Sequence, residues 1–417
     1  MQRFTLVKTI LIAISLWVFS LSAKADLTIP GADGSDGAFA PTANIQVDLS
    51  QAVTAAWNAP GSGKGVYDAG KWAVVFKYSS VNIPSGVTVT FKNHPSRAPV
   101  VWLVSGNVNI VGTINLNGQN YAYPYESEPG PGGFRGGLGY WGSTGAAGGL
   151  GPGGGCCNNG NYIYGGYGTN GANNPNSTYG NLRILPLIGG SGGSGDPGSG
   201  YSGGAGAGAI LIATQGTITL NGIIYSNGGC HYIRLNKWND VVGGSGDGSG
   251  GAVRLIANAL VGTGLINVRG GNLVGGHGRI RIETLNASGN SIVTLPITDT
   301  VQPDDPVLLW PPATAPSVRV VSIGGVSAPA DPVARLDPGT TDIRLNNMDN
   351  AAIVLEAQNV QPTATVTVRI VPQHGAPSKV TATFSNGTNA LSTWTANAAL
   401  PAGFFVVQAR ADNPPPQ

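Results

Sequence analysis

Tyr121, Tyr123 and Tyr125 alternate along the chain, a spacing that turns three phenol rings to one side of an extended segment. Tyr140 and Trp141 follow inside a Gly-rich stretch. Flat rings with little charge nearby suit stacking on sugar faces or on one another, so these five residues form the candidate ligand-binding set. Packing of the stretch against the rest of the protein accounts for the same residues in the other reading. Cys156 and Cys157 are adjacent and Cys230 lies far along the chain. One long-range disulfide with a thiol left over is the expected arrangement. Zinc bound with His231 lacks the usual spaced cysteine pairs.

Acid–base chemistry is poorly provided for. Inverting glycoside hydrolysis needs two carboxylates roughly 6.5–9.5 Å apart. The repeat blocks described below carry Glu283 alone, with Asp240 and Asp247 in loops. His94, His231, His277 and His374 are scattered singly. Matches to a nucleophile elbow around Gly193-Ser194-Gly195 follow from the abundance of Gly and Ser. No cofactor and no catalytic residue is expected. Calcium is the other metal considered, at Asp33 and Asp36 or at Gly243–Asp247, but the tandem nonapeptides and the twelve-residue loop are missing. Solvated turn acids are the preferred reading there.

The elements that must carry these residues are strands. Of 417 residues 66 are Gly and 29 Pro, and charged residues make up 10% where about 25% is usual. Coiled coils, ordinary helical enzymes and charge-solvated disorder are excluded, and the glycines lack the strict period of collagen. Apolar runs recur as blocks: VVWLVSGNVNIVGTINLNGQN from Val100, AILIATQGTITLNGIIYSNGG from Ala209, AVRLIANALVGTGLINVRGGN from Ala252 and a degraded copy from Arg279. Each splits into strands of three to five residues at Gly or Asn-Gly, too short to persist unless copies stack. Ile210, Ile212, Ile218 and Leu220 then share a face. The expected fold class is all-β: a right-handed parallel β-helix over residues 26–300, its first coil from Trp72 and its cap from Leu27. An antiparallel sandwich of the same strands is the alternative.

A Gly-rich insertion occupies residues 121–207 and carries few charges. It is expected to be a flexible loop; the alternative is polyproline-II-like strands whose missing side chains let backbones meet. Residues 301–316 form a Pro-rich linker. Six or seven alternating strands across 317–412 predict a small immunoglobulin-like β-sandwich.

Arg3 and Lys8 precede an apolar run from Ile10 to Leu21, and Ala23-Lys24-Ala25 supplies a cleavage pattern, so residues 1–25 read as a signal peptide. Its removal takes Arg3, Lys8 and Lys24 from the 22 basic residues, leaving them one short of the 20 acidic. No concentrated basic surface is available for nucleic acid. Weak net charge tolerates self-association.

GADGSDGAFAPTANIQVDLS, VVWLVSGNVNIVGTINLNG, GAILIATQGTITLNG and the closing GRIRIE together resemble a group of secreted bacterial Gly-rich β-helix proteins in which a similar sandwich follows. The resemblance implies fold and export, and carries no catalytic residues. Gly276-His277-Gly278 before Arg279-Ile280-Arg281 also resembles elements of polygalacturonase-like hydrolases. The acidic elements that precede them in that family are missing here. The expected role is structural or adhesive at the bacterial cell surface or in an extracellular matrix, through self-association or contact with other surface proteins. A glycan-binding module and a polysaccharide lyase or glycoside hydrolase are the competing classes.

Overall fold

The computed structural model describes residues 27–141, 145–156, 163–333 and 341–412. The expected signal peptide and Cys157 lie outside them. The described chain is all-β, with single 3-10 turns at Leu49–Gln51 and Gly271–Leu273.

The repeat blocks pair in parallel. Ala73–Ile83, Val100–Val104, Ala209–Leu220, Ala252–Val261 and Arg279–Asn286 lie side by side in one sheet. Thr88–Lys92, Thr113–Asn115, Ile223–Tyr225, Leu265–Asn267 and Val293–Leu295 do so in a second, with Ile45–Asp48 at its edge. Register puts like on like. Val74, Val100, Ile210, Val253 and Ile280 form one ladder; Phe76, Trp102, Ile212, Leu255 and Ile282 form the next. Val89, Ile114, Ile224 and Ile266 answer from the second sheet, and all of these fall in one buried cluster.

The other face of the larger sheet is covered too. Val75, Val101, Leu103, Leu211 and Ile256 pack under Leu27, Ile29, Tyr167 and Tyr179, and under Val307 and Leu309 of the Pro-rich stretch. Burial on both faces explains why Val100–Val104 is an unbroken apolar run.

The Gly-rich insertion is an ordered bundle over its described residues, where a flexible loop was expected. Phe134, Gly137 and Tyr140 donate their N–H groups to the carbonyls of Gly190, Gly193 and Asp196. Gly190, Gly193 and Asp196 in turn donate to Ala207, Gly204 and Tyr201. Both series advance three residues per bond, the period of an extended helix with three residues per turn. Consecutive residues radiate: Gly192, Gly193 and Ser194 donate to Leu150, Gly204 and Ile163, on three different segments. Gly246 and Ser249, from beyond the insertion, accept from Gly204 and Ala207 and so join the same bundle. Gly190, Gly192 and Gly193 leave no room for a side chain at these contacts. A Cβ on Gly193 would overlap the Gly246 carbonyl oxygen.

Beyond the Pro-rich stretch, seven antiparallel strands surround a separate core that includes Ile353, Leu355, Val366, Val368 and Trp394. Arg369 ties this unit to the bundle: its Nη1 donates to the Gly149 carbonyl at 2.8 Å and its Nη2 to Gly154 and Gly155 at 3.3 Å.

Two outcomes test this architecture. Gly193→Ala should cost about 1–3 kcal/mol in chemical denaturation through overpacking. Gly70→Ala, whose new Cβ would meet a single side-chain oxygen at 3.3 Å, should stay within about 0.5 kcal/mol of the parent. Equal effects would contradict the bundle. The second test is alkaline. Burial, with Asp331 beside it, pushes Tyr67 up from 10.0 to about 12, and burial also raises Tyr78, Tyr167 and Tyr179. The fold therefore holds protons that the unfolded chain releases near pH 10. Stability should be fully present below pH 10 and fall as pH rises towards 12. Phenolate absorbance that rose around pH 10 for every tyrosine, with no loss of fold, would overturn this.

Candidate functional site

The bundle carries a cluster of rings at its surface. Tyr201 stacks on Tyr232 with centroids 3.9 Å apart. Tyr121 meets both edge-on, at 5.7 and 5.3 Å, and Tyr123 leans on Tyr201 at 5.2 Å. Trp141 and Tyr123 both crowd Gly200, which has φ +72°, a conformation that disfavours any side chain. Exposure rises outward, from 40% at Tyr121 through 58% at Tyr123 to 68% at Trp141. Rings that are fixed by one another and still open to solvent form a platform.

Backbone bonding sets the platform in place. Ser202 and Ala122 exchange two bonds, Ala122 N–H to Ser202 Oγ at 2.8 Å and Ser202 N–H to the Ala122 carbonyl at 2.9 Å. Tyr121 donates to the Cys230 carbonyl at 2.9 Å. Beneath the rings Asp196 is fully buried, accepting from Gly198 N–H at 3.0 Å and from the Ser199 hydroxyl, with Arg234 Nη1 3.8 Å away. The antiparallel hairpin Ile233–Leu235 and Val241–Gly244 extends the surface with exposed Ile233, Leu235, Trp238 and Val241. Rings and aliphatic groups edged by the partly exposed Arg234 can stack on an apolar sugar face and donate to its hydroxyls.

The five expected residues divide. Tyr121, Tyr123 and Trp141 belong to the platform, although 121–125 is not a strand and the three tyrosines do not form one row. Tyr125 is 73% exposed and outside the ring contacts described. Tyr140 turns away to His374 of the C-terminal unit, centroids 4.6 Å apart. Tyr232 and Trp238 were not singled out in the sequence. Their signal was the alternation in HYIRLNKWNDVV, which the Gly-rich segments on both sides obscured.

Of the disulfide candidates, Cys156 and Cys230 are not bonded to each other, and Cys157 lies outside the described residues. Cys156 follows Gly155, bonded to Gly192, while Cys230 pairs with Asn120 and Tyr121, so they occupy different strands of the bundle. The acids considered for calcium are committed to protein partners. Asp36 accepts the amides of Gly63 and Lys77 at 2.6 Å each, Asp33 accepts Ser35 N–H, and Asp247 accepts His231 N–H and faces its ring at 2.8 Å. Among the described residues no group of three His, Cys, Asp or Glu is placed to hold a metal.

The residues that resembled a hydrolase motif have packing partners. His277 N–H donates to Thr169 Oγ1, and burial together with Arg269 lowers its pKa. Arg279 lies over the Tyr167 ring and donates to the Tyr179 carbonyl. Glu283 is enclosed by guanidinium groups, accepting from Arg254 Nε at 2.8 Å and Arg281 Nε at 2.6 Å. No family model, no curated protein and no solved structure matches the chain.

Proposed function

We propose that the chain is a secreted or cell-surface adhesive protein: a right-handed parallel β-helix and an immunoglobulin-like sandwich hold a glycine-strand bundle that presents its ring platform to extracellular glycans. The observation that carries this reading is the cluster in which exposed Tyr121, Tyr123 and Trp141 gather about half-buried Tyr201 and Tyr232 on a framework bonded through its backbone. Stacked parallel ladders support the β-helix, and the signal-like residues 1–25 support export. Among the described residues no helix is long and apolar enough to cross a membrane.

Polysaccharide pull-down and a glycan array on the mature chain test the reading, beside a Tyr121→Ala/Tyr123→Ala double variant and a reducing-end assay. Binding should weaken at least tenfold in the variant, about 1.4 kcal/mol for exposed aromatic anchors, with no product released. Equal binding by both proteins, or release of reducing ends, contradicts it.

Self-association is a second reading with its own observation. Ile45–Asp48 and Val293–Leu295 are the two outer strands of the smaller sheet, and Ile45, Val293 and the nearby Ile297 are exposed. Negative-stain microscopy and sedimentation should show end-to-end oligomers that Val293→Lys abolishes. Monomers over a wide concentration range rule this out.

A further inference from the structure

Tyr201 sits at the centre of the platform, with rings from two other segments of the chain against it. Its centroid lies 5.7 Å from that of Tyr121, 5.2 Å from Tyr123 and 3.9 Å from Tyr232. The angles separate these contacts further. Tyr121 is turned 83° to Tyr201 and Tyr123 is turned 46°, whereas Tyr232 lies within 23° of parallel. Aromatic pairs usually settle into offset or edge-on arrangements at longer range, so a near face-to-face pair this close is unusual. Backbone bonds hold both of its members. Asp196 N–H donates to the Tyr201 carbonyl at 2.9 Å, and Tyr232 exchanges two bonds with Ser245, giving its N–H to Oγ at 2.9 Å and receiving the Ser245 N–H at 3.0 Å.

Parallel phenols in contact have a specific chemical use. A phenol that loses one electron and one proton becomes a phenoxyl radical, with its unpaired spin shared between the oxygen and the ortho ring carbons. Two such radicals join through their ortho carbons, and the new carbon–carbon bond forms across the two ring faces. The hydrogen on each joined carbon then moves to the phenol oxygen, which restores both phenols as dityrosine. Rings already face to face hold these carbons close to the reacting geometry. An edge-on pair cannot present both ortho carbons in this way.

Access to an oxidant distinguishes this pair from the other close one. Tyr167 and Tyr179 also approach, with centroids 4.6 Å apart and planes 33° from parallel, but both are enclosed by the core. Tyr201 and Tyr232 are half-buried, and the more exposed Tyr121 and Tyr123 touch Tyr201 from the solvent side.

We infer that Tyr201 and Tyr232 form a cross-linking site, at which a haem peroxidase with hydrogen peroxide joins their Cε carbons as dityrosine. Two electrons and two protons leave the pair, the peroxide O–O bond breaks and two waters form. The bond staples the segment that enters the Ile233–Leu235 and Val241–Gly244 hairpin to the Gly-rich bundle, across positions that the backbone alone connects through the whole Ala209–Leu220 strand. Glycan binding is not required for this reaction.

The dilute mature chain, treated with a haem peroxidase and hydrogen peroxide, tests the site. Chymotrypsin cuts after Leu211, Leu220 and Tyr225 and so separates the two rings for mass spectrometry. Dityrosine fluorescence is expected in the monomer, together with a peptide pair joined through Tyr201 and Tyr232 and lighter than its parts by two hydrogens. Tyr232→Phe and Tyr201→Phe, which keep the rings and remove the phenol, should each abolish that product. Tyr140→Phe, whose ring faces His374, should leave it unchanged. No dityrosine under conditions that couple free tyrosine overturns the site. A main product through Tyr121, Tyr123 or the enclosed pair overturns the choice of rings. Dityrosine confined to dimers, and rising with protein concentration, overturns the staple in favour of a bond between copies.

Discussion

Direct contact between peptide backbones, without side chains in between, is the constraint on which the rest of this molecule depends. Where Gly192, Gly193 and Ser194 donate to three different segments, the bundle is held by hydrogen bonds in three directions. The condition for such packing is the absence of Cβ. That condition accounts for the Gly content of the sequence, and it also accounts for the scarcity of charge, since a long charged side chain has no place between segments that touch through their carbonyls. The bundle buries backbone polar groups in number and pairs them between its own segments, as a dry interior requires.

The parallel sheets and the bundle are joined along the chain, Ala209–Leu220, Ala252–Val261 and Arg279–Asn286 each emerging from a Gly-rich segment. Gly208 donates to Leu116 and accepts from Ala252, which places the starts of the blocks from Ala209 and Ala252 against the end of the block from Val100. A change from a three-residue to a two-residue period at this boundary turns the chain from backbone contact to side-chain burial. The ladders exclude water through Ile210, Val253 and their neighbours, and the covered outer face lets Arg254 and Glu283 pair where a lone charge would be costly. Arg369 performs the corresponding task for the C-terminal unit, bonding carbonyls at the end of the bundle.

Much of the all-β frame was legible in the sequence, because period-2 aliphatic patterns have one physical use. Ile210, Ile212, Ile218 and Leu220 do share the buried face, and the blocks from Ala209, Ala252 and Arg279 pair side by side in parallel. The Gly-rich insertion was not legible in the same way: glycine serves flexibility and close packing equally, and only its three-dimensional neighbours decide between them. The ring platform was partly visible. Tyr121 and Tyr123 announced themselves by spacing, whereas Tyr232 reaches Tyr201 only through the fold of the bundle. Tyr140, next to Trp141 in sequence, faces His374 because the C-terminal unit docks there.

Hydrogen exchange followed by mass spectrometry over peptides covering residues 189–207 tests the central claim most directly. Backbone bonds shared among segments predict exchange slowed at least a thousandfold relative to an unstructured chain, about 4 kcal/mol of opening free energy, with protection as deep as that of the Ala209–Leu220 strand. Exchange at the unstructured rate through 189–207, beside a protected Ala209–Leu220, would show a loop in place of the bundle and contradict the account.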